Sequence, residues 1–244
     1  MICIFTSLFF MFNFYTGEVI LIDKPYTWSS FQAVNKIKHA FKNHHSLIYN
    51  EVKTKAKIGH AGTLDPLATG LLIMCTGKKT KEINSFMGLD KEYTGKFKIG
   101  ATTPCFDLEK PIDNLFNTAH ITSQLILDTA KNFIGLQEQV PPLFSAVMVN
   151  GKRAYELARK GETVELKHRP IEIKEFEITE INNLEVGFRI VCTKGTYIRS
   201  IARDFGLALN SGAHLIELRR TKIGNFYIEN ALTIEQFINT IKIS

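Results

Sequence analysis

An α+β fold is the class this sequence predicts, and three observations predict it. Short apolar runs with strand character alternate along the chain with longer segments of helical period. At 244 residues, 45% of them hydrophobic, the chain can bury one sizeable core, or at most two small ones. No internal repeat, low-complexity tract or interdomain linker interrupts it.

The elements follow in order. Met1 to Tyr15 is apolar and aromatic, with no charge before Glu18. It lacks the basic start and the small-residue cleavage site of a signal peptide, and it is too short to span a membrane. Residues 1–17 therefore read as a loose tail or a mis-assigned start, with translation beginning at Met11. Glu18 to Asp23 reads as a buried strand stopped by Lys24-Pro25. Ser29 or Ser30 caps a helix to about Lys42, with Phe31, Val34, Ile37 and Phe41 on one face. A basic, histidine-rich loop is expected from about Asn43 to Lys57. Between Lys36 and Lys57 there are six lysines and one acid, Glu51. A solvated surface or a groove for phosphates would both suit it. His39, His44 and His45 have no carboxylate or cysteine at ligand spacing, so no metal is expected.

Lys57 to Gly70 reads Lys-Ile-Gly-His-Ala-Gly-Thr-Leu-Asp-Pro-Leu-Ala-Thr-Gly. Its glycines permit sharp turns, and Pro66 biases Asp65 towards an extended backbone. Such a loop holds an acid rigidly at a surface. An isolated Asp-Pro reads instead as a helix N-cap followed by the first helical residue. Leu71 to Thr76 is a short apolar strand, and Lys79 to Met87 a helix. Gly77-Lys78-Lys79-Thr80 is not a phosphate-binding loop, because Leu72 stands where its first glycine belongs and Lys79 where Ser or Thr belongs. Lys91 to Gly100 reads as a strand and Ile121 to Ile134 as an amphipathic helix. Asn150-Gly151 is a turn signal between short strands, in a stretch made basic by Lys152, Arg153, Arg159 and Lys160. Arg169 to Ile181 and Leu184 to Thr193 are strands around Asn182-Asn183. A helix follows to about Leu209, with Ile198, Ile201 and Phe205 on one side and Arg199 and Arg203 on another. His214 to Thr221 is a last strand and Thr233 to Ile241 a closing helix.

The 59–70 stretch resembles the signature G-H-x-G-T-L-D-P-x-A-x-G of the bacterial TruB family of tRNA pseudouridine-55 synthases, with Gly59, His60, Gly62, Leu64, Asp65, Pro66, Ala68 and Gly70 in place. Further blocks agree in order: Asp23-Lys24-Pro25, Lys91-Glu92-Tyr93, the loop with Thr103 and Asp107, Val140 to Ala146, Asn150 to Gly161, Lys194 to Arg199 and Leu218 to Thr221. Cys105 replaces the second threonine of its loop, and Met148 stands where a lysine is expected. The resemblance implies a pseudouridine synthase fold: a mostly antiparallel central sheet flanked by helices, with an RNA-gripping thumb loop. It implies isomerisation of uridine 55 in the T arm of tRNA, with Asp65 as nucleophile and Arg199 as its partner. Tyr93 would stack on the flipped base and Tyr197 and Leu218 would line the pocket. His60 would contact RNA near the vacated gap, and Lys152 and Arg153 would hold phosphates. No cofactor is implied. The catalytic domain would occupy 18–244, without the PUA domain that most members carry, and the protein would be a cytoplasmic monomer.

Composition is consistent with that partner. The formal charge is +6 and the isoelectric point about 9.0, which favours a polyanion. Cys3, Cys75, Cys105 and Cys192 are scattered without Cys-x-x-Cys spacing, against a zinc ribbon or a disulfide scaffold. Two rivals stay open: a tRNA-binding or tRNA-folding module on the same scaffold without chemistry, and a synthase acting on another RNA, such as a guide-dependent one. The trio Asp65, Tyr93 and Arg199 discriminates against a pure binder, which need not keep all three.

Overall fold

A computed structural model describes residues 17–49, 57–149, 151–162 and 164–243. The expected tail, the start at Met11, residues 50–56 of the basic loop and Asn150 of the turn lie outside the described residues. The chain forms two compact units, Met1–Met87 with Asn225–Ser244, and Gly88–Gly224.

The first unit opens with strand β1 (Val19–Lys24) and helix α1 (Ser30–Tyr49). Ser29 and Gln32 close a capping box: the Gln32 N–H donates to Ser29 Oγ (3.2 Å) and the Ser29 N–H to Gln32 Oε1 (2.8 Å). The helix runs past Lys42 to Tyr49, where a loop was expected, because residues 43–49 contain no glycine or proline to stop it. Its buried stripe is Ala33, Val34, Ile37 and Phe41, while Phe31 is 69% exposed. Phe31 lies about 100° round the helix from the centre of that stripe, so its spacing to Val34 misleads. Strand β2 (Ile58–His60) and strand β3 (Ala68–Thr76) follow. β3 begins three residues before the expected Leu71; it pairs antiparallel with β1, Gly70 opposite Lys24 and Cys75 opposite Val19. A tight 3-10 segment, Gly77–Glu82, leads into helix α2 (Ile83–Gly88), in place of one continuous helix from Lys79.

The second unit holds a five-stranded antiparallel sheet. Its members are β4 (Lys91–Ile99), a small pair β5 (Ala101–Thr102) and β6 (Asn114–Leu115) to one side, helix α3 (Ser123–Asn132), β7 (Gly135–Gln139), a hairpin of β8 (Met148–Val149) and β9 (Lys152–Arg153), helix α4 (Ala154–Arg159), β10 (Arg169–Asn182), β11 (Glu185–Cys192), helix α5 (Ile198–Ala208) and β12 (Ala213–Ile223). The sheet order is β12-β4-β11-β10-β7. Its core is aromatic: Phe97 stacks on Phe188 at 4.2 Å between centroids and meets Phe205 of α5 at 5.6 Å, and Phe176 and Phe133 pack edge to face at 6.1 Å. Such pairs add about 0.5–1.5 kcal/mol each beyond their buried area.

The chain then completes the first unit with β13 (Phe226–Tyr227), β14 (Leu232–Thr233) and helix α6 (Ile234–Ile243). β14 pairs parallel with β1, Leu232 opposite Ile22. Ile20, Ile22, Ile37, Leu72, Met74 and Phe237 fill that unit's core. The expected α+β architecture of largely antiparallel strands and packed helices is observed. No described helix is long and apolar enough to cross a membrane.

Candidate active site

Asp65 sits on a turn, not on a helix. The Ala68 N–H donates to the Asp65 carbonyl at 3.1 Å, and the chain passes directly into β3. The helix-cap reading of Asp-Pro fails here because the strand that follows, Ala68–Thr76, pairs with β1 from Gly70 to Cys75, and extended pairing outcompetes a helical start. Gly62 and Gly70 bracket the turn at φ +98° and +104°, a backbone that side chains resist. Asp65 itself is half-buried, and its neighbours Leu64 and Ala68 are buried.

Two side chains from the first strand and helix hold this turn. Ser30, buried at the start of α1, accepts from the Leu64 N–H at 2.8 Å and donates to the Leu64 carbonyl at 3.1 Å. Lys24 is fully buried, and its ammonium donates to the carbonyls of Pro25 (2.9 Å), Trp28 (2.5 Å) and Pro66 (3.3 Å). The residues flanking the carboxylate are thus tethered on both sides through their main chain. His60 is half-buried at the end of β2, opposite Met74.

In the second unit, β4 and β12 place Tyr93 and Leu218 on one face. Tyr93 is opposite Arg220 and Leu218 is opposite Gly95, and directly opposed residues project from the same side of a sheet. Tyr93 is 8% exposed, Leu218 half-buried and Arg220 fully buried. Between them Gly95 has no room for a side chain: a Cβ there would lie 2.2 Å from the Glu217 carbonyl oxygen, where β12 bulges towards it. On the other face Glu92 accepts from Arg189 Nε (3.0 Å) and Thr221 Oγ1 (2.7 Å), which pins β4 to both neighbours and fixes which way Tyr93 points. Lys91, two residues before Tyr93, is also buried; burial first, then the Arg220 guanidinium, pulls its ammonium down to about 8.

Arg199 lies in the first turn of α5. Taken alone it reads as an exposed helix arginine, but it is 3% exposed. Its Nε lies 3.6 Å from the Asp107 carboxylate, and its two terminal nitrogens donate to the carbonyls of Cys105 (3.3 Å) and Phe144 (3.0 Å). Asp107 is held in turn, accepting from the Glu109 N–H at 3.0 Å. Cys105, in the place of a threonine, directs its thiol to the Asp107 carbonyl at 3.4 Å; burial first, then the Asp107 carboxylate, pushes the thiol up. Tyr197 precedes the helix as its N-cap residue and is half-buried.

Lys152 and Arg153 are exposed on β9, which pairs with Met148 and Val149 of β8 around Gly151. The segment is a β-hairpin followed by a short helix, with Met148 57% exposed in the position expected for lysine. The two units therefore carry the expected residues in separate sets: Asp65 and His60 in the first; Tyr93, Tyr197, Arg199, Leu218, Lys152 and Arg153 in the second. Sequence reasoning missed Lys24 and Ser30 as supports, the Lys91 and Arg220 cations beside Tyr93, and Gln139. One signal was available: a lysine closing an apolar strand just before a proline is a poor surface residue.

An α+β fold with an acid on a glycine-bracketed turn beside β3 defines the class: this is the pseudouridine synthase fold. The description "TruB family pseudouridylate synthase (N terminal domain)" matches residues 50–198, and "tRNA pseudouridylate synthase B C-terminal domain" matches residues 199–243. The chain belongs to the TruB family of pseudouridylate synthases. It is 56% identical over 228 residues to the tRNA pseudouridine synthase B of Flavobacterium johnsoniae, covering 93% of this chain and 96% of that one. It is 54% identical over 225 residues to the protein of the same name from Phocaeicola vulgatus, covering 92% and 93%. Among solved structures it resembles a chain of a Cbf5-Nop10-Gar1 complex, with TM-score 0.69 and 28% identity, over 93% of this chain and 54% of that chain. It also resembles one in an H/ACA RNP bound to a substrate RNA containing 2'-deoxyuridine, with TM-score 0.65 and 27% identity, over 92% and 53%.

Proposed function

We propose that this protein isomerises uridine 55 in the T arm of tRNA to pseudouridine. What supports the reading most is the match to two relatives named tRNA pseudouridine synthase B over nearly the full length of both partners. The reaction breaks the N-glycosidic bond, turns the uracil over and joins its C5 to the ribose C1′. The N1–C1′ bond is replaced by C5–C1′ and the C5 proton is lost as N1 gains one, so no electrons or groups are exchanged with a second substrate.

In this reading Asp65 is the nucleophile. Its carboxylate attacks either C1′ of the sugar or C6 of the base. A turn held by Ser30 and Lys24 suits that task, because a reacting group works best when its approach is set before the substrate arrives. Arg199 is assigned as the partner that keeps the carboxylate charged and oriented once the base has closed over it. Flipping the base out of its loop costs on the order of a few kcal/mol. Stacking on Tyr93 returns roughly 1–3 kcal/mol. Tyr197 and Leu218 line the pocket, His60 meets the RNA beside the vacated gap, and Lys152 and Arg153 hold phosphates and set register. The catalytic unit of function is the 18–244 segment, acting as a cytoplasmic monomer.

The test is incubation with an unmodified tRNA transcript and mapping of pseudouridine at single-nucleotide resolution. The expected result is one new pseudouridine at position 55, lost when that uridine is changed to cytidine and lost with Asp65→Asn. Binding of the transcript without modification would favour the binding module. Modification elsewhere would favour a synthase of another RNA. Gel filtration of the protein with and without tRNA tests the monomer.

A further inference from the structure

We infer that Gln139 is a positioning residue that sets Tyr197 and Arg199 and ties them to the basic hairpin. The inference rests on the reading of Tyr197 and Arg199 as site residues. Gln139 ends β7 and is buried. Its carboxamide takes both main-chain polar groups of Tyr197: Nε2 donates to the Tyr197 carbonyl at 3.1 Å, and the Tyr197 N–H donates to Oε1 at 2.8 Å. Tyr197 is the N-cap of α5 and its own side chain does not cap the helix; the Gln139 carboxamide holds the main chain of that residue from outside the helix. The Tyr197 carbonyl also accepts the Ile201 N–H at 3.1 Å, so the same oxygen ties Gln139 to the first helical turn.

The residues after Gln139 continue the contact. The Val140 carbonyl accepts from Ser200 Oγ (2.8 Å) and from Arg203 (3.2 Å), and the Phe144 carbonyl accepts from Arg199 (3.0 Å). The chain then enters the hairpin. Val140, Leu143, Val149 and Tyr197 pack on one small apolar cluster with Val147 and Leu166. Gln139 is thus the point where the root of the hairpin is fastened to the start of α5. Only a group with one donor and one acceptor at this spacing can serve both Tyr197 groups. Glutamate keeps the acceptor but turns a second oxygen against the Tyr197 carbonyl. Protonated glutamate restores the donor.

The experiment compares Gln139→Glu and Gln139→Met with wild type in kcat and KM for the tRNA transcript, from pH 5 to 8. At neutral pH both variants are expected to lose about tenfold or more in kcat, with KM rising by less because Lys152 and Arg153 themselves are kept. Burial raises the carboxyl of Gln139→Glu above the ordinary carboxylate range, so its activity relative to wild type climbs as the pH falls, while that of Gln139→Met stays low. A merely structural role would make the rescue follow the folded fraction, so unfolding is read at each pH and the climb in kcat is expected where the variant is already fully folded. A flat Gln139→Glu ratio, a Gln139→Met kcat equal to wild type, or a loss confined to KM overturns the inference. Should Gln139→Met fail to fold, the Gln139→Glu profile decides. Wild type that makes no pseudouridine sinks the functional reading; active wild type with a flat ratio sinks this inference alone.

Discussion

The turn carrying Asp65 and the corner carrying Arg199 are built on opposite principles. Asp65 is half-buried, and the residues on either side of it are held through main-chain bonds from Ser30 and Lys24. Arg199 is fully buried and held by its own guanidinium, against a buried carboxylate and two carbonyls. In the proposed mechanism Asp65 meets the substrate, and fixing its neighbours sets its approach beforehand. Arg199, proposed to supply charge from behind, is engaged through its own side chain. Activity should therefore be most sensitive at the turn and stability most sensitive at the corner.

The largest effect expected is on activity. Asp65→Asn should lower pseudouridine formation by roughly three orders of magnitude or more while leaving the unfolding midpoint nearly unchanged; a variant that still modifies the transcript would break the contrast at its root. Asp107→Ala should do the reverse first. It removes the Asp107 carboxylate from beside a buried guanidinium and should cost on the order of a few kcal/mol in urea unfolding. A loss below about 1 kcal/mol would mean that Asp107 contributes little to holding Arg199.

Protonation sharpens the same contrast. Lys91 belongs to the unit of Arg199, and burial with the Arg220 guanidinium lowers it from 10.5 to about 8. Between those values the unfolded chain binds more protons than the folded one, so stability should rise as pH climbs from about 8 towards 10.5. The cost of burying the cation is fully present below pH 8. The gain should be on the order of a few kcal/mol and should vanish in Lys91→Met, read by unfolding at each pH. Ser30→Ala removes both bonds to Leu64 and should cost about 1–3 kcal/mol, with kcat falling more than tRNA affinity. The smallest effect is expected at the hairpin: Lys152→Ala with Arg153→Ala should weaken tRNA binding several-fold and reduce its salt slope by about 2, leaving kcat at saturation unchanged.

What was legible in the sequence had local causes. The strands, the capped helix at Ser29, the pairing of β8 with β9 and the acid-bearing turn follow from period, capping and turn chemistry within a few residues. The end of α1 was missed because nothing in residues 43–49 breaks a helix, and a basic composition was read as a loop. Phe31 shares a predicted face with Val34, Ile37 and Phe41, yet it is exposed, because the buried stripe is set by what α1 packs against. The burial of Arg199 is invisible in the sequence because a carboxylate beside it, Asp107, lies 92 positions earlier. The same holds for Lys24 and Pro66, and for Gln139 and Tyr197. Long-range polar pairs leave no periodic trace in one chain.

Gly95 carries a consequence for how this pocket can change. With Tyr93 on one side, Leu218 on the other and a carbonyl oxygen 2.2 Å from where any Cβ would sit, the strand between them offers no adjustable position. In the proposed reading of Tyr93 and Leu218 as base-facing residues, a bulkier or slimmer nucleobase has to be accommodated at these two side chains, one aromatic and one aliphatic. The middle of the floor is bare main chain, and its depth is set by the bulge in the neighbouring strand.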